Sequence, residues 1–265
     1  MAVIKDWKAF LTPYEQAVEE LKVKLRSIRK EYRRKNEYSP IEFITGRVKE
    51  VSSILEKANK FEIPVDRLQY EIEDIAGIRI MCQFVDDIDT VVEIIRRRKD
   101  MQILYEKDYI NNVKVSGYRS HHVIIKYPVN MAEDTKEILA EFQIRTLAMN
   151  FWATIEHSLN YKYKQQIPDN IKLKLKSAAD AAFQLDTEML EIKDEIKDAQ
   201  KLFEVKSDVI SNIMNSILTL MSIGKISEAN RYQVALNKLI DDGEVWEFNN
   251  LLYSIQKDIE KFRDN

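Results

Sequence analysis

Leu139-Ala140-Glu141-Phe142-Gln143-Ile144-Arg145 alternates without a break. Successive strand residues face opposite ways, so Ala140, Phe142 and Ile144 share one side of an extended chain. Glu141, Gln143 and Arg145 share the other. The first side suits a core. The second carries an acid, an amide and a base in a row, directly before a hydrophobic, aromatic-rich segment. A purely structural strand seldom presents such a row, so this face is a candidate functional surface.

Working outward, the strand spans Ile138–Thr146, and the chain beyond it reads as helical. Leu147–Lys164 holds Phe151, Trp152, Tyr161 and Tyr163, with Asn150, Thr154 and His157 as a polar stripe. Trp152 reads as core and His157 as a structural histidine. A long helical pattern runs from about Asn170 to Ser207. Two or three more helices follow, with breaks near Gly224 and Asp242-Gly243. Upstream, strands are expected at Tyr118–Tyr127, at Met101–Tyr105 and at Ile75–Phe84. Asp86–Arg98 is an amphipathic helix with Ile88, Val91, Val92 and Ile95 on one side. Trp7 to about Lys35 has helical spacing. Ser39 is an expected N-cap, with Pro40 opening another helical segment, and a further helix covers roughly Val48–Lys60. Strands mixed with helices indicate an α+β domain built on a mixed sheet.

The 41 basic and 44 acidic residues nearly cancel, so global charge does not mark a dedicated nucleic-acid binder. The clearest basic stripe is Arg29–Lys35. A single cysteine, Cys82, excludes an intramolecular disulfide, and its apolar surroundings suggest a buried thiol. No apolar run is long enough to span a bilayer. The N-terminus, with Lys5, Asp6 and Lys8, does not read as a signal peptide. A cytoplasmic protein with no membrane partner is expected.

Three further groups could carry chemistry. Gly46-Arg47-Val48-Lys49 is followed by Ser53 and Lys57, so 49, 53 and 57 would share a helix face. Two ammonium groups and a hydroxyl near a helix N-terminus can cradle phosphate, although spacing alone favours a solvated basic face. Glu71-Ile72-Glu73-Asp74 precedes the strand bearing Gly77 and Arg79. A carboxylate at a sheet edge can hold Mg²⁺, which usually takes one or two carboxylates plus substrate phosphates. Gly77 could permit a close backbone approach. Asp74 capping a turn and Arg79 in a structural ion pair is the competing reading. Finally, Lys114-Val115-Ser116-Gly117-Tyr118-Arg119-Ser120-His121-His122 puts Tyr118, Ser120 and His122 on one face if the strand starts near Tyr118. A phenol ring and an imidazole there could stack on a base. The adjacent histidines face opposite ways and do not read as one metal site.

In this order and at these separations, SPIEFITGRVKEVSSILEKA, EDIAGIRIMCQFVDDI, SGYRSHH and EFQIRTLAMNFWATIEHSLNYKY resemble the synthetase domain of the RelA/SpoT superfamily. The resemblance is to its small alarmone synthetases of the RelQ type and runs from about Trp7 to Phe203. It implies a nucleotidyltransferase-like sheet flanked by helices. The implied reaction moves the ATP β,γ-pyrophosphate to the ribose 3′-hydroxyl of GDP or GTP. By position, Arg47 and Arg79 would sandwich adenine, while Lys49, Ser53 and Lys57 would hold the ATP phosphates. Asp74 and Glu141 would bind Mg²⁺, with Glu141 also activating the 3′-hydroxyl. Tyr118 would stack on guanine, with Lys114, His122, Gln143 and Asn150 contacting the acceptor. RelQ-type enzymes are homotetramers with a product cleft between subunits. Lys22, Arg26 and Phe43 stand where that cleft is lined, with Arg in a position where Lys is usual. Regulation by (p)ppGpp or single-stranded RNA would follow.

His121 replaces an aromatic common in the family, but by alternation it faces away from Tyr118. Residues 204–265 extend past the usual RelQ length as a helical module of unknown role, leaving 1–203 as the synthetase domain. No His precedes residue 121, so a His/Asp hydrolase cluster is not expected. Two other readings stay open. One is a toxic relative acting on adenine nucleotides or tRNA ends. The other is a non-enzymatic nucleotide- or RNA-binding regulator.

Overall fold

The computed structural model describes residues 4, 6–162 and 168–263, except the side chains of 160–162 and 263. The chain forms two compact units, Met1–Leu190 and Glu191–Asn265.

The first unit is built on five strands: β1 (Phe43–Val48), β2 (Ala76–Cys82), β3 (Gln102–Asp108), β4 (His121–Asn130) and β5 (Thr135–Thr146). Their order across the sheet is β1-β2-β5-β4-β3. Only β2 and β5 run parallel; the other neighbours are antiparallel. This is the expected mixed sheet of an α+β fold. The two faces differ as the alternation in β5 requires. Ile78, Ile80, Val123, Phe142 and Ile144 are wholly buried in one core with Leu21 and Leu25 of α1 (Trp7–Arg34). Ile88, Val91 and Ile95 of α4 (Val85–Arg96) join that core. The opposite face carries Arg79, Glu141, Gln143 and His122, which lie in register across three strands.

Expected helices stand at α1, at α2 (Val51–Lys60) and at α4, with a one-turn α3 (Leu68–Glu71) before β2. The segment at Ser39-Pro40 is not a helix. Ser39 Oγ spends its hydrogen bonds two residues on, donating to Ile41 O at 3.1 Å and accepting from Ile41 N–H at 3.3 Å. The chain then enters β1, whose Phe, Ile, Thr and Val residues suit an extended conformation. α1 packs close over Gly46 in β1. A Cβ built there would lie 2.8 Å from Val18 Cγ1 and 2.9 Å from Ile78 Cδ1. Gly77, expected to permit close approach, meets only Arg47 O, at 3.8 Å.

Cys82 is buried, and burial pushes its thiol pKa well up. α5 (Leu147–Lys162) follows β5 directly, with Trp152 buried as expected. His157 is exposed, not a satisfied structural histidine. The side chain of Tyr161, all of Tyr163 and the expected helix end at Lys164 lie outside the described residues. α6 (Asp169–Ser222) is longer than its sequence pattern suggested and runs through the expected boundary at 203/204. The second unit closes its own core with Ile213, Ile217 and Leu220 of α6 and Leu236 of α7 (Ile226–Leu239). Phe248 and Ile255 of α8 (Val245–Arg263) complete it. Among the described residues no helix is long and apolar enough to cross a membrane.

Candidate active site

The parallel pairing of β2 with β5 sets Gly77 beside Glu141 and Arg79 beside Gln143. β1 adds Arg47 opposite Gly77 and Thr45 opposite Arg79. Registered partners share a face, so these side chains meet over one side of the sheet. They line a cleft of about 330 Å³ together with Asp74. That volume is at the small end of the range for ligand pockets.

Asp74 sits in the turn between α3 and β2 and is held by two ammonium groups. Lys49 Nζ donates to Oδ2 at 2.9 Å and Lys57 Nζ to Oδ1 at 2.8 Å. Burial acts to raise the Asp74 pKa, but the two lysines outweigh it and hold the carboxyl below its usual range. The expected single helix face for 49, 53 and 57 is not what joins these cations. Lys49 precedes α2, with its N–H bound to Ile75 O at 2.8 Å. Asp74 is the meeting point, and the half-buried Ser53 lies one turn before Lys57 on α2.

Glu141 is buried at 7% exposure, yet its carboxyl is also held below its usual range. Burial raises it; His122 and Gln143 more than offset that. His122 Nδ1 lies 2.8 Å from Oε1, and Gln143 Nε2 donates to Oε2 at 2.7 Å. Gln143 Oε1 accepts from Arg79 Nε at 3.3 Å and from Arg145 Nη2. The row seen in the sequence is therefore one connected network. Arg79 and Arg145 both have their pKa lowered, first by burial and, for Arg79, next by Arg145 and Arg47. Guanidinium groups remain charged, so the cleft floor concentrates positive field that an anionic ligand would relieve.

Tyr118 precedes β4, which begins at His121, so it joins the site from a loop and not from the strand. Its hydroxyl lies 2.8 Å from His122 Nε2 and accepts from Arg145 Nη2 at 3.3 Å. Ser120 is wholly buried and donates to Ile144 O at 3.1 Å, and its side chain also meets the Tyr118 phenol, acting to lower the pKa that burial raises. Lys114 Nζ sits 4.8 Å from the Tyr118 ring centre and 4.1 Å from that of Tyr109. His121 faces away, 2.9 Å from Glu106. Asn150 is half-buried on α5, and among the described residues no hydrogen bond ties it to this cluster. Lys22, Arg26 and Phe43 lie around the edge strand, outside the cleft. Lys22 pairs with Glu19 at 2.6 Å, Arg26 is exposed on α1, and Phe43 opens β1.

Sequence reasoning missed four residues: Glu73, Tyr105, Lys107 and Tyr109. Glu73 accepts from Lys107 Nζ at 2.8 Å and from the Tyr105 hydroxyl, tying the Asp74 turn to β3. Tyr109 stands edge-on to both Tyr118 and His122, with ring centres 6.0 and 5.1 Å away. The signal was the alternation Tyr105, Lys107, Tyr109, lost when β3 was ended at Tyr105.

The donor set suits a hard cation. Asp74 and Glu141 face one cleft as carboxylates kept ionised. Mg²⁺ needs only such a pair if a ligand supplies phosphate oxygens. Among the described residues no group of three or more His, Cys, Asp and Glu forms a self-sufficient metal site.

The family described as "Region found in RelA / SpoT proteins" matches residues 46–166, which contain every residue lining this cleft but Thr45. The chain is 55% identical over 202 residues to the GTP pyrophosphokinase YjbM of Bacillus subtilis, covering 76% of this chain and 95% of that one. The crystal structure of small alarmone synthetase 1 from Bacillus subtilis bound to its product pppGpp superimposes with TM-score 0.70. Identity there is 56%, over 73% of this chain and 99% of that chain. The same synthetase bound to AMPCPP gives TM-score 0.65 at 52% identity, over 74% of this chain and 100% of that chain. With its cleft, its sheet order and these similarities in agreement, the chain belongs to the RelA/SpoT superfamily as one of its small alarmone synthetases.

Proposed function

We propose that the protein is a GTP/GDP pyrophosphokinase that makes pppGpp and ppGpp from ATP. The observation that carries this reading is the β2–β5 pairing. It sets Glu141 and the Asp74 turn in one cleft with Arg47, Arg79, Lys49 and Lys57. Such transfer is driven by positioning and by neutralising phosphate charge, with little covalent help from protein groups.

Arg47 and Arg79 flank adenine, and Lys49, Ser53 and Lys57 hold the phosphates once Asp74 turns to a bound cation. Tyr118 carries guanine, with Lys114, His122, Gln143 and Asn150 around the acceptor. Glu141 takes the proton of the ribose 3′-hydroxyl as that oxygen attacks the β-phosphorus and AMP leaves. Mg²⁺, held by Asp74 and Glu141, would supply charge neutralisation on the pyrophosphate. His122 and Gln143 keep the Glu141 carboxylate aimed and ionised. The same reading extends to a cytoplasmic homotetramer whose Lys22, Arg26 and Phe43 line a regulatory site for (p)ppGpp or single-stranded RNA.

Incubation with ATP, Mg²⁺ and, in turn, GDP, GTP, AMP and tRNA tests the reading. Guanosine tetra- or pentaphosphate is the expected product. Its absence with both guanine acceptors overturns the proposal.

A further inference from the structure

We propose that Arg119 is a positioning residue for acceptor selection: it clasps the loop that bears Tyr118 onto α6 and so sets the ring that receives the base. The inference rests on the function proposed above and goes beyond it, since Arg119 touches neither nucleotide.

The loop is pressed flush against α6. Gly117 has φ +87°, and a Cβ built on it would lie 2.6 Å from Ala179 Cβ. Glycine is needed there both for the left-handed backbone and for the approach. Arg119 then fastens the loop. Nη1 donates to Gly117 O at 3.2 Å and to Ala179 O at 3.4 Å, and Nη2 donates to Asp180 Oδ1 at 3.0 Å. The guanidinium stacks 4.5 Å from the Phe183 ring centre.

Asp180 is half exposed, so the ion pair alone would contribute little. The Arg119 side chain, however, is only 12% exposed. The two carbonyl contacts and the stacking need a planar fork that lysine lacks.

The clasp acts on Tyr118 because its neighbours are fixed to the same helix. Tyr118 packs on Trp152, Ala153 and Ala179. Trp152 Nε1 donates to Leu175 O at 2.8 Å, locking α5 to α6. The tyrosine is therefore bracketed by α6 behind and by His122 and Arg145 at its hydroxyl. Among the described residues no hydrogen bond of Arg119 goes to Arg47, Lys49, Lys57 or Arg79, and Arg79 meets Tyr118 only through Gln143 and Arg145.

The test measures KM for GDP at saturating ATP, and for ATP at saturating GDP, in Arg119→Met and Arg119→Lys. Hydrogen–deuterium exchange of residues 114–120 is followed alongside. A KM for GDP raised roughly 10-fold or more in the Met variant, with that for ATP within about 2-fold, is expected. Lysine should fall between, and exchange in 114–120 should quicken. Equal rises in both KM values, or an unchanged GDP value in folded Arg119→Met, overturn the proposal. If Arg119→Met does not fold, Asp180→Ala and Phe183→Leu together should shift the GDP value alone, and no shift overturns it. If the wild-type chain makes no guanine product, the functional reading fails. The clasp is then judged by exchange alone, and unchanged protection of 114–120 in Arg119→Met overturns it.

Discussion

Lys57 Nζ lies 2.8 Å from Asp74 Oδ1, and Lys49 occupies the other oxygen of the same carboxylate. Two ammonium groups on one carboxylate leave a net charge of +1, so under the proposed function the lysines would turn to phosphate and free Asp74 for a cation. Asp74→Asn should lower turnover by roughly 10²–10³-fold and raise the Mg²⁺ concentration needed for half-maximal rate. Lys57→Met should mainly raise KM for ATP. EDTA should stop wild-type turnover and added Mg²⁺ restore it. Activity indifferent to chelation would refute the metal role of Asp74.

Glu141→Gln removes the proposed proton acceptor while keeping the side-chain shape. kcat should fall by roughly 10²–10³-fold, with a thermal midpoint close to wild type. Steady-state kinetics beside a melting curve check this. A variant that keeps full kcat removes Glu141 from the chemistry.

Two glycines separate packing from binding. Gly46→Ala drives a methyl into Val18 and Ile78, so it should cost about 1–3 kcal/mol. Gly77→Ala meets only Arg47 O at 3.8 Å and should fold normally. Its methyl nevertheless enters the cleft beside Glu141, so nucleotide KM values should rise. Urea melts and kinetics on both variants should therefore give opposite profiles.

Asp186 is buried on α6, where its Oδ2 accepts the Thr146 hydroxyl at 2.6 Å. Burial pushes its pKa up to about 6, and the Thr146 bond opposes that only in part. Below this pH the folded chain binds a proton that the unfolded chain, titrating near 3.8, has released. Stability from this group therefore grows as pH falls from about 6 towards 4 and is lost as pH rises through 6. Asp186→Asn should be more stable than wild type at pH 7.5, and the gap should narrow as pH is lowered through 6. Paired thermal melts across that range measure it, and a constant gap would show that Asp186 does not titrate there.

Much of the sheet was legible because its strands keep their period. Glu141, Gln143 and Arg145 face one way in the sequence and in the fold, since burial of Phe142 and Ile144 leaves no other register. β1 was not legible. Its six residues include Gly46, and Ser39-Pro40 just before it mimics a helix start. Only pairing with β2 makes it a strand. The convergence of Lys49 and Lys57 was expected from a shared helix face, but it depends on Asp74, seventeen positions past Lys57. Tyr109 continued an alternation from Tyr105 and Lys107 that outran the expected strand end, whereas Glu73 was out of reach because its partners, Tyr105 and Lys107, come from another element. The neighbours of Arg119 lie sixty positions away, a distance at which a local pattern carries no information.

The lone parallel ladder joins segments separated by 64 positions, as the Arg79–Gln143 contact shows. Closing so long a loop is among the slower events of folding. A nascent chain that has emerged only as far as β4 owns Asp74 and its lysines but has no Glu141 to set beside them. Under the proposed function the cleft therefore cannot be completed before that last strand is made. Chains that stop short of β5 lack Glu141 and cannot form it.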